Sequence, residues 1–337
     1  MRIFDFMKYD ALGRRKRHIR TPTKRELIIG PRDIEIFRLL QRYRYLRASQ
    51  IRALLPDNLR GRSEKRLRER LGALYHERYL ARPPQQMATC NFHYAESIYA
   101  LDEQGEKYLS THGLDGPFSH LAAKARAGAH RQFVHSMMVV DTLVSIELAV
   151  RTEPGLRFLN WQDVLAKMPA ATRSRPNPFQ LPRVGVSYTL PGTNKTLRGD
   201  IALIPDGVFA IKYPTGFVLY LLEAEHKDCA SRTTLNANSF LRKALGYLEL
   251  RRQERFERLF GLGAVMVLTI VPTEARLVGL LKIVDKIAGQ QGGAMFGFAI
   301  SPAFPHIHSQ NSFDLNQRGM QWKRVGRALS IFGPSGD

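Results

Sequence analysis

Apolar residues recur at helical spacing from Pro31 onward. Ile34, Phe37, Leu39 and Leu40 mark one face of an amphipathic helix that ends near Arg42. Residues 45–51 predict a turn into a second short helix, with Ser49 as its N-cap and its end before Pro56. A third helix starts after Ser63 and carries Leu67, Leu71, Leu74 and Tyr75 on one side. Its other side bears Arg62, Lys65, Arg66, Arg68 and Arg70. Apolar segments at 79–82 and 97–101 predict a two-stranded ribbon around a polar loop, and 103–111 reads as a closing helix. Three helices, a ribbon and a helix follow the order of a winged helix-turn-helix, so residues 29–115 are expected to bind DNA. The basic third helix would then enter the major groove.

The second half alternates differently. An apolar helix runs over 130–150 through Phe133, Val134, Met137, Val140, Leu143 and Leu148. Residues 169–191 are rich in Pro, Arg, Ser and Asn and read as a loop or insertion. Strand character follows at 201–204, 208–211 and 217–227, then a helix at 240–260 and a buried strand at 264–270. A further helix at 273–287 precedes a last strand at 296–300. Hairpin strands followed by alternating helix and strand predict an α/β sandwich at 125–301, its mixed sheet flanked by helices. Residues 1–28 read as a flexible basic arm and 302–337 as a C-terminal tail. The whole is an α+β chain.

Composition narrows the partner. The 337 residues suffice for two cores, and 51 basic against 30 acidic residues give a net charge of +21. Such an excess points to a polyanion, here double-stranded DNA. Arg14, Arg15, Lys16 and Arg17 in the arm are placed to track phosphates or enter a minor groove. No apolar run approaches the roughly 20 residues of a membrane span, and the N-terminus lacks the apolar stretch of a signal peptide. The expectation is a cytoplasmic, plasmid- or nucleoid-associated protein without a membrane partner. Cys90 and Cys229 stand far apart without a CxxC, which excludes a disulfide scaffold and a cysteine zinc site.

Candidate chemistry lies in the later strands. Glu223, Glu225 and Lys227 occupy alternate positions after an apolar run, so they would project from one face. Upstream, Pro205-Asp206-Gly207 places an acid at a turn. An acid, then an acid and a lysine two apart, resembles the motif of PD-(D/E)XK nucleases. In that chemistry Asp206, Glu223 and Glu225 would hold Mg²⁺ or Mn²⁺ against a phosphate. Lys227 would steady the attacking water and the developing charge. A solvated strand face with cross-strand ion pairs carries the same residues. Lys243 and Tyr247 are helical neighbours, where related nucleases place a Gln or Lys and a Tyr facing the metal site. Glu147 is a further acid by position on the preceding helix. A second enzyme class enters with His306-Ile307-His308, the His-hydrophobe-His of HUH relaxases, which pair it with a tyrosine nucleophile. Pro302 and Pro305 flank that pair, and no sustained strand surrounds it.

Taken in order along the chain, these features converge on one family. Arg32-Asp33-Ile34, Leu39-Leu40, Arg66-Leu67 through Leu71, Ile98-Tyr99-Ala100-Leu101 and Gly105 lead to His135. Pro205-Asp206-Gly207, Glu223-Ala224-Glu225, Lys243 and Tyr247 follow. In this order the chain resembles the replication-relaxation family of plasmids and integrative elements over about residues 30–290. The resemblance implies action on plasmid-like DNA, with relaxosome or replication proteins and a second copy of the chain as further partners. Its acidic pattern is similar to Glu-x-Asp, which makes Glu223 and Glu225 the acid pair and Lys243 the working lysine. Lys227 and Lys243 both remain open. So do two functions: metal-dependent nicking or cleavage of DNA, and a non-catalytic DNA-binding accessory or regulator that keeps the nuclease-like fold for binding or dimerisation.

Overall fold

The computed structural model describes residues 19–22, 27–88, 96–114, 130–190, 192–225, 235, 239–301 and 321–333. Among them are eleven α-helices and twelve strands, with two compact units dividing between Val140 and Asp141.

The first unit runs α1 (Pro31–Tyr43), β1 (Leu46–Arg47), α2 (Ala48–Leu54), α3 (Asp57–Arg60), α4 (Glu64–His76), β2 (Leu80–Ala81), β3 (Ile98–Leu101) and α5 (Glu103–Thr111). It ends in the first turns of α6 (His130–Val150). Pro31 occupies the first turn of α1, where its missing N–H costs no helical bond. Ser63 caps α4, its Oγ accepting from the Arg66 N–H at 3.2 Å. Ser49 does not cap α2. The helix starts one residue earlier at Ala48, and the Ser49 hydroxyl donates instead to Glu96 Oε2 at 2.8 Å.

The ribbon also has a third strand. β1 pairs with β3 through Leu46↔Tyr99 and Arg47↔Ile98, giving the order β1-β3-β2. Two residues are too few to show a period-two pattern in sequence. Gly105 is required by packing, because a Cβ there would lie 2.5 Å from the Tyr79 carbonyl oxygen and 2.6 Å from Leu101 Cδ1. Phe133, Val134 and Met137 of α6 share a core with Tyr45, Ala81, Ile98 and Ala100. Tyr45 and Phe133 meet edge to face at 5.2 Å. That packing puts the division between units inside α6 rather than at residues 115–125.

The second unit continues from α6 through β4 (Arg157–Leu159), α7 (Trp161–Lys167), α8 (Ala170–Arg173), β5 (Val184–Thr189) and β6 (Thr196–Ile201). Then come β7 (Gly207–Tyr213), β8 (Gly216–Ala224), α9 (Phe240–Arg252), α10 (Arg255–Phe260), β9 (Val265–Val271), α11 (Glu274–Gly293) and β10 (Phe296–Ile300). β11 (Trp322–Arg324) and β12 (Arg327–Leu329) close it. Seven strands form one mixed sheet in the order β12-β11-β10-β9-β8-β7-β4. β8, β9 and β10 are parallel, and the other neighbours are antiparallel. Leu219, Leu221, Leu222, Val267, Leu268, Ile270, Phe296 and Phe298 are buried along its central strands. Near-continuous apolar runs are what a sheet covered on both faces demands.

Several segments depart from the pattern-based expectation. Residues 201–204 do not form a sheet strand. Ile201 ends β6, which pairs with β5 in a separate two-stranded ribbon, so the stretch 169–191 also contains a strand. The helix over 240–260 breaks at Glu254, which adopts φ 53°. The stretch 302–337 is more than a tail, since β11 and β12 extend the sheet beyond β10. The Tyr213 hydroxyl fastens this addition, donating to the Ile331 carbonyl at 2.6 Å. One described helix is long and apolar enough to cross a membrane. Its window Phe133–Val150, of mean hydropathy 1.6, is 78% buried within the molecule.

Candidate active site

The register Gly207↔Leu222 sets Asp206 against the end of β8, where Glu223 and Ala224 lie. Asp206 Oδ2 accepts the Ala224 N–H at 2.9 Å, which locks the turn acid to the strand. Glu223 and Glu225 are only 1% and 2% exposed, whereas Asp206 is exposed. The cluster therefore reaches the surface on the Asp206 side.

Helix α9 supplies the compensating charge. Lys243 Nζ donates to Glu223 Oε2 at 2.6 Å and to Glu225 Oε1 at 2.9 Å, bridging the two carboxylates. Four residues on, the Tyr247 hydroxyl donates to Glu223 Oε1. The i, i+4 spacing on one helical face brings both groups to the same acid. Burial raises the Glu223 carboxyl to about 7, with Asp206 adding to the rise and Lys243 opposing it. Burial would lower Lys243, but Glu223, Glu225 and Asp206 together hold its ammonium well above the usual lysine range. Tyr247 is pushed far above a normal phenol, first by burial and then by Glu223.

Asp206, Glu223, Glu225, Lys243 and Tyr247 are thus one cluster. Lys227 lies outside the described residues, as do Arg14, Arg15, Lys16, Arg17, His306 and His308. Glu147 is buried but ion-paired with Arg151 at 2.5 Å. One member escaped the sequence reading. Arg276, in the first turn of α11, brings its guanidinium to 3.8 Å from Glu225 Oε2. Nothing local announces it, because Arg276 and Glu225 are joined only by the parallel pairing of β8 with β9.

Mg²⁺ or Mn²⁺ would require open oxygen ligands. Glu225 Oε2 fits, being buried and without a hydrogen-bond partner among the described residues. Glu223 does not fit, since Tyr247 and Lys243 take both its oxygens. Among the described residues no group of three or more His, Cys, Asp or Glu is arranged to hold a metal.

In the first unit, Lys65, Arg66 and Arg68 are exposed on α4, and Arg62 is exposed just before its N-cap Ser63. Arg68 lies 3.8 Å from Glu64, one helical turn away. Arg70 is turned inward. Its Nε and a terminal nitrogen grip the buried Asp33 at 3.0 and 2.6 Å, and the terminal nitrogen also donates to the Ile28 carbonyl at 2.7 Å. Arg20 is likewise anchored, ion-paired with Asp102 and stacked 4.8 Å from the Tyr75 ring centre.

The protein is thus a two-unit α+β chain with an acid–lysine cluster at the end of a central strand. A family profile described as replication-relaxation matches residues 37–265, well over half of the chain. The chain belongs to the replication-relaxation family. No curated protein and no solved structure matches it.

Proposed function

We propose that the second unit is a PD-(D/E)XK-type phosphodiesterase that nicks or cleaves the DNA of a mobile element, and that the first unit is a winged helix delivering it to duplex DNA. One observation carries this reading: Lys243 bridges Glu223 and Glu225 beside Asp206. The topology supports it. Helix α6 precedes β4, β7 and β8, helix α9 follows, and β9 then joins β8 in parallel. That places the turn acid and the strand acids at one end of the sheet, as the motif's chemistry needs.

The roles follow from the contacts. Asp206 and Glu225 would hold the divalent cation, which when bound polarises the scissile phosphate and activates water. Lys243 keeps its proton and presents a fixed positive charge where the phosphoryl oxygens gain negative charge. Glu223 orients Lys243 and is itself oriented by Tyr247. Tyr247 is 1% exposed and its phenol is hard to ionise, so it is a positioning residue and no covalent tyrosyl intermediate is expected. For the first unit, β1 between α1 and α2, with α4 followed by β2 and β3, supports the winged-helix order. Lys65, Arg66 and Arg68 on α4, with Arg62 just before it, are then the phosphate contacts.

The deciding experiment incubates supercoiled plasmid with the protein and Mg²⁺ or Mn²⁺, beside Asp206→Ala and a chelator control. Nicking or linearisation that disappears in the variant, with DNA binding retained, is the expected result. A second reading, a non-catalytic DNA-binding accessory, draws on the saturation of Glu223 and the lack of three grouped metal ligands among the described residues. Intact plasmid together with a clear mobility shift would establish it instead.

A further inference from the structure

The β5–β6 ribbon is inserted between α8 and Asp206, outside the seven-stranded sheet. One of its faces is accounted for. Val184, Val186 and Ile201 are buried, and Gly246 of α9 lets the ribbon approach so closely that a Cβ there would lie 2.9 Å from Ile201 Cγ2. The ribbon is thus fixed to the helix that carries Lys243 and Tyr247.

The other face is not. Gly185, Ser187, Thr189, Thr196, Arg198 and Asp200 alternate outward and are all exposed. The register pairs them as Gly185↔Asp200, Ser187↔Arg198 and Thr189↔Thr196. Arg183 just before β5 and Lys195 at the turn are exposed as well. Among the described residues, Arg183, Lys195 and Arg198 make no ion pair. The face is therefore a row of small and hydroxylated side chains with Arg183 and Arg198 against Asp200, and with Lys195 a third cation at its turn end.

We infer that this outward face of the β5–β6 ribbon is a DNA-contacting surface that seats the duplex beside Asp206, separate from α4. A two-stranded ribbon fits the major groove, and small side chains let its backbone approach phosphates closely. Charge complementarity favours a polyanion over an apolar or basic partner. Reach agrees. Arg198 precedes Asp206 by eight positions. Their Cα atoms therefore lie within about 29 Å of each other, less than one turn of DNA. The inference rests on the proposed DNA-binding role and adds a second contact surface to it.

The test measures affinity for a labelled duplex by fluorescence anisotropy across a potassium chloride series. It compares wild type, Arg183→Ala/Lys195→Ala/Arg198→Ala, and a control, Lys282→Ala/Lys286→Ala, on exposed positions of α11. The ribbon variant is expected to flatten the log–log salt slope by about three, roughly one per cation, while the control leaves it unchanged. Thermal unfolding should match wild type for both variants. For a variant that melts early, Lys195→Glu alone at the turn provides the same comparison without touching the strands. A wild-type slope in the ribbon variant, or an equal loss in the control, overturns the inference while the DNA-binding role stands. A wild-type protein that binds no duplex removes both.

Discussion

Two buried acid–base clusters, one in each unit, are built from similar residues and end in opposite states. In the first, Asp33 receives both arms of Arg70 and the Gly30 N–H at 3.0 Å, so each carboxylate oxygen is satisfied. In the second, two carboxylates share one ammonium, and Glu225 Oε2 has no hydrogen-bond partner among the described residues, with Arg276 3.8 Å away. A planar guanidinium matched to one carboxylate closes a structural joint, here between α4 and the start of α1. An excess of buried acid with an orphaned oxygen costs stability and leaves a binding valence open. The contrast separates a closed joint of the fold from a cluster left open, the one to which the proposed chemistry is assigned.

The largest expected effect comes from breaking either cluster on its basic side. Arg70→Met and Lys243→Met should each cost about 3–5 kcal/mol, because an uncompensated buried carboxylate remains. Denaturant melts of each variant check this. Adding Asp33→Leu to Arg70→Met should recover most of the loss, and a double variant as unstable as the single would refute a purely structural joint. Next is pH. Glu223 holds its proton more tightly folded than unfolded, with a folded value of about 7 against an ordinary 4.5. Its contribution is therefore full below about 4.5 and is lost as pH rises through about 7. Wild type should lose stability across that window relative to Glu223→Gln, and parallel pH profiles would contradict the shift.

A smaller effect, opposite in sign, is expected at the orphaned oxygen. Glu225→Gln should stabilise the protein by about 1 kcal/mol while abolishing plasmid nicking, the trade expected of a functional acid. A destabilised variant would mean that Glu225 is structural. The least is expected of Arg68→Ala. Its exposed partner Glu64 is 3.8 Å away. Stability should change by no more than about 0.5 kcal/mol, whereas the salt slope of DNA binding should fall by about one.

Much of this was readable in the chain because the governing contacts are local. Helices α1, α4, α5 and α6 follow from 3.6-residue periodicity with Pro31 and Ser63 as start signals. Glu223 and Glu225 are visible from strand alternation, Asp206 from the turn at Pro205-Asp206-Gly207, and Lys243 with Tyr247 from helical spacing. The rest depends on pairing across distance. Arg66, Arg68 and Arg70 look alike on α4 until Asp33 selects Arg70, and Arg276 reaches Glu225 only through strand order. β11 and β12 are three residues each, too short to announce themselves. β5 hid in a Pro- and Asn-rich stretch because only Val184 and Val186 mark its buried face.

The tight seat of Gly246 has an evolutionary consequence. A side chain there would lever the ribbon and the Lys243 helix apart, so neither can drift in sequence alone. Descendants that acquire a new ribbon inherit an obligation to keep residue 246 minimal or to reshape Ile201 and Leu203 in step. On the proposed roles of ribbon and cluster, target preference and cutting centre would then diversify together, as one heritable module.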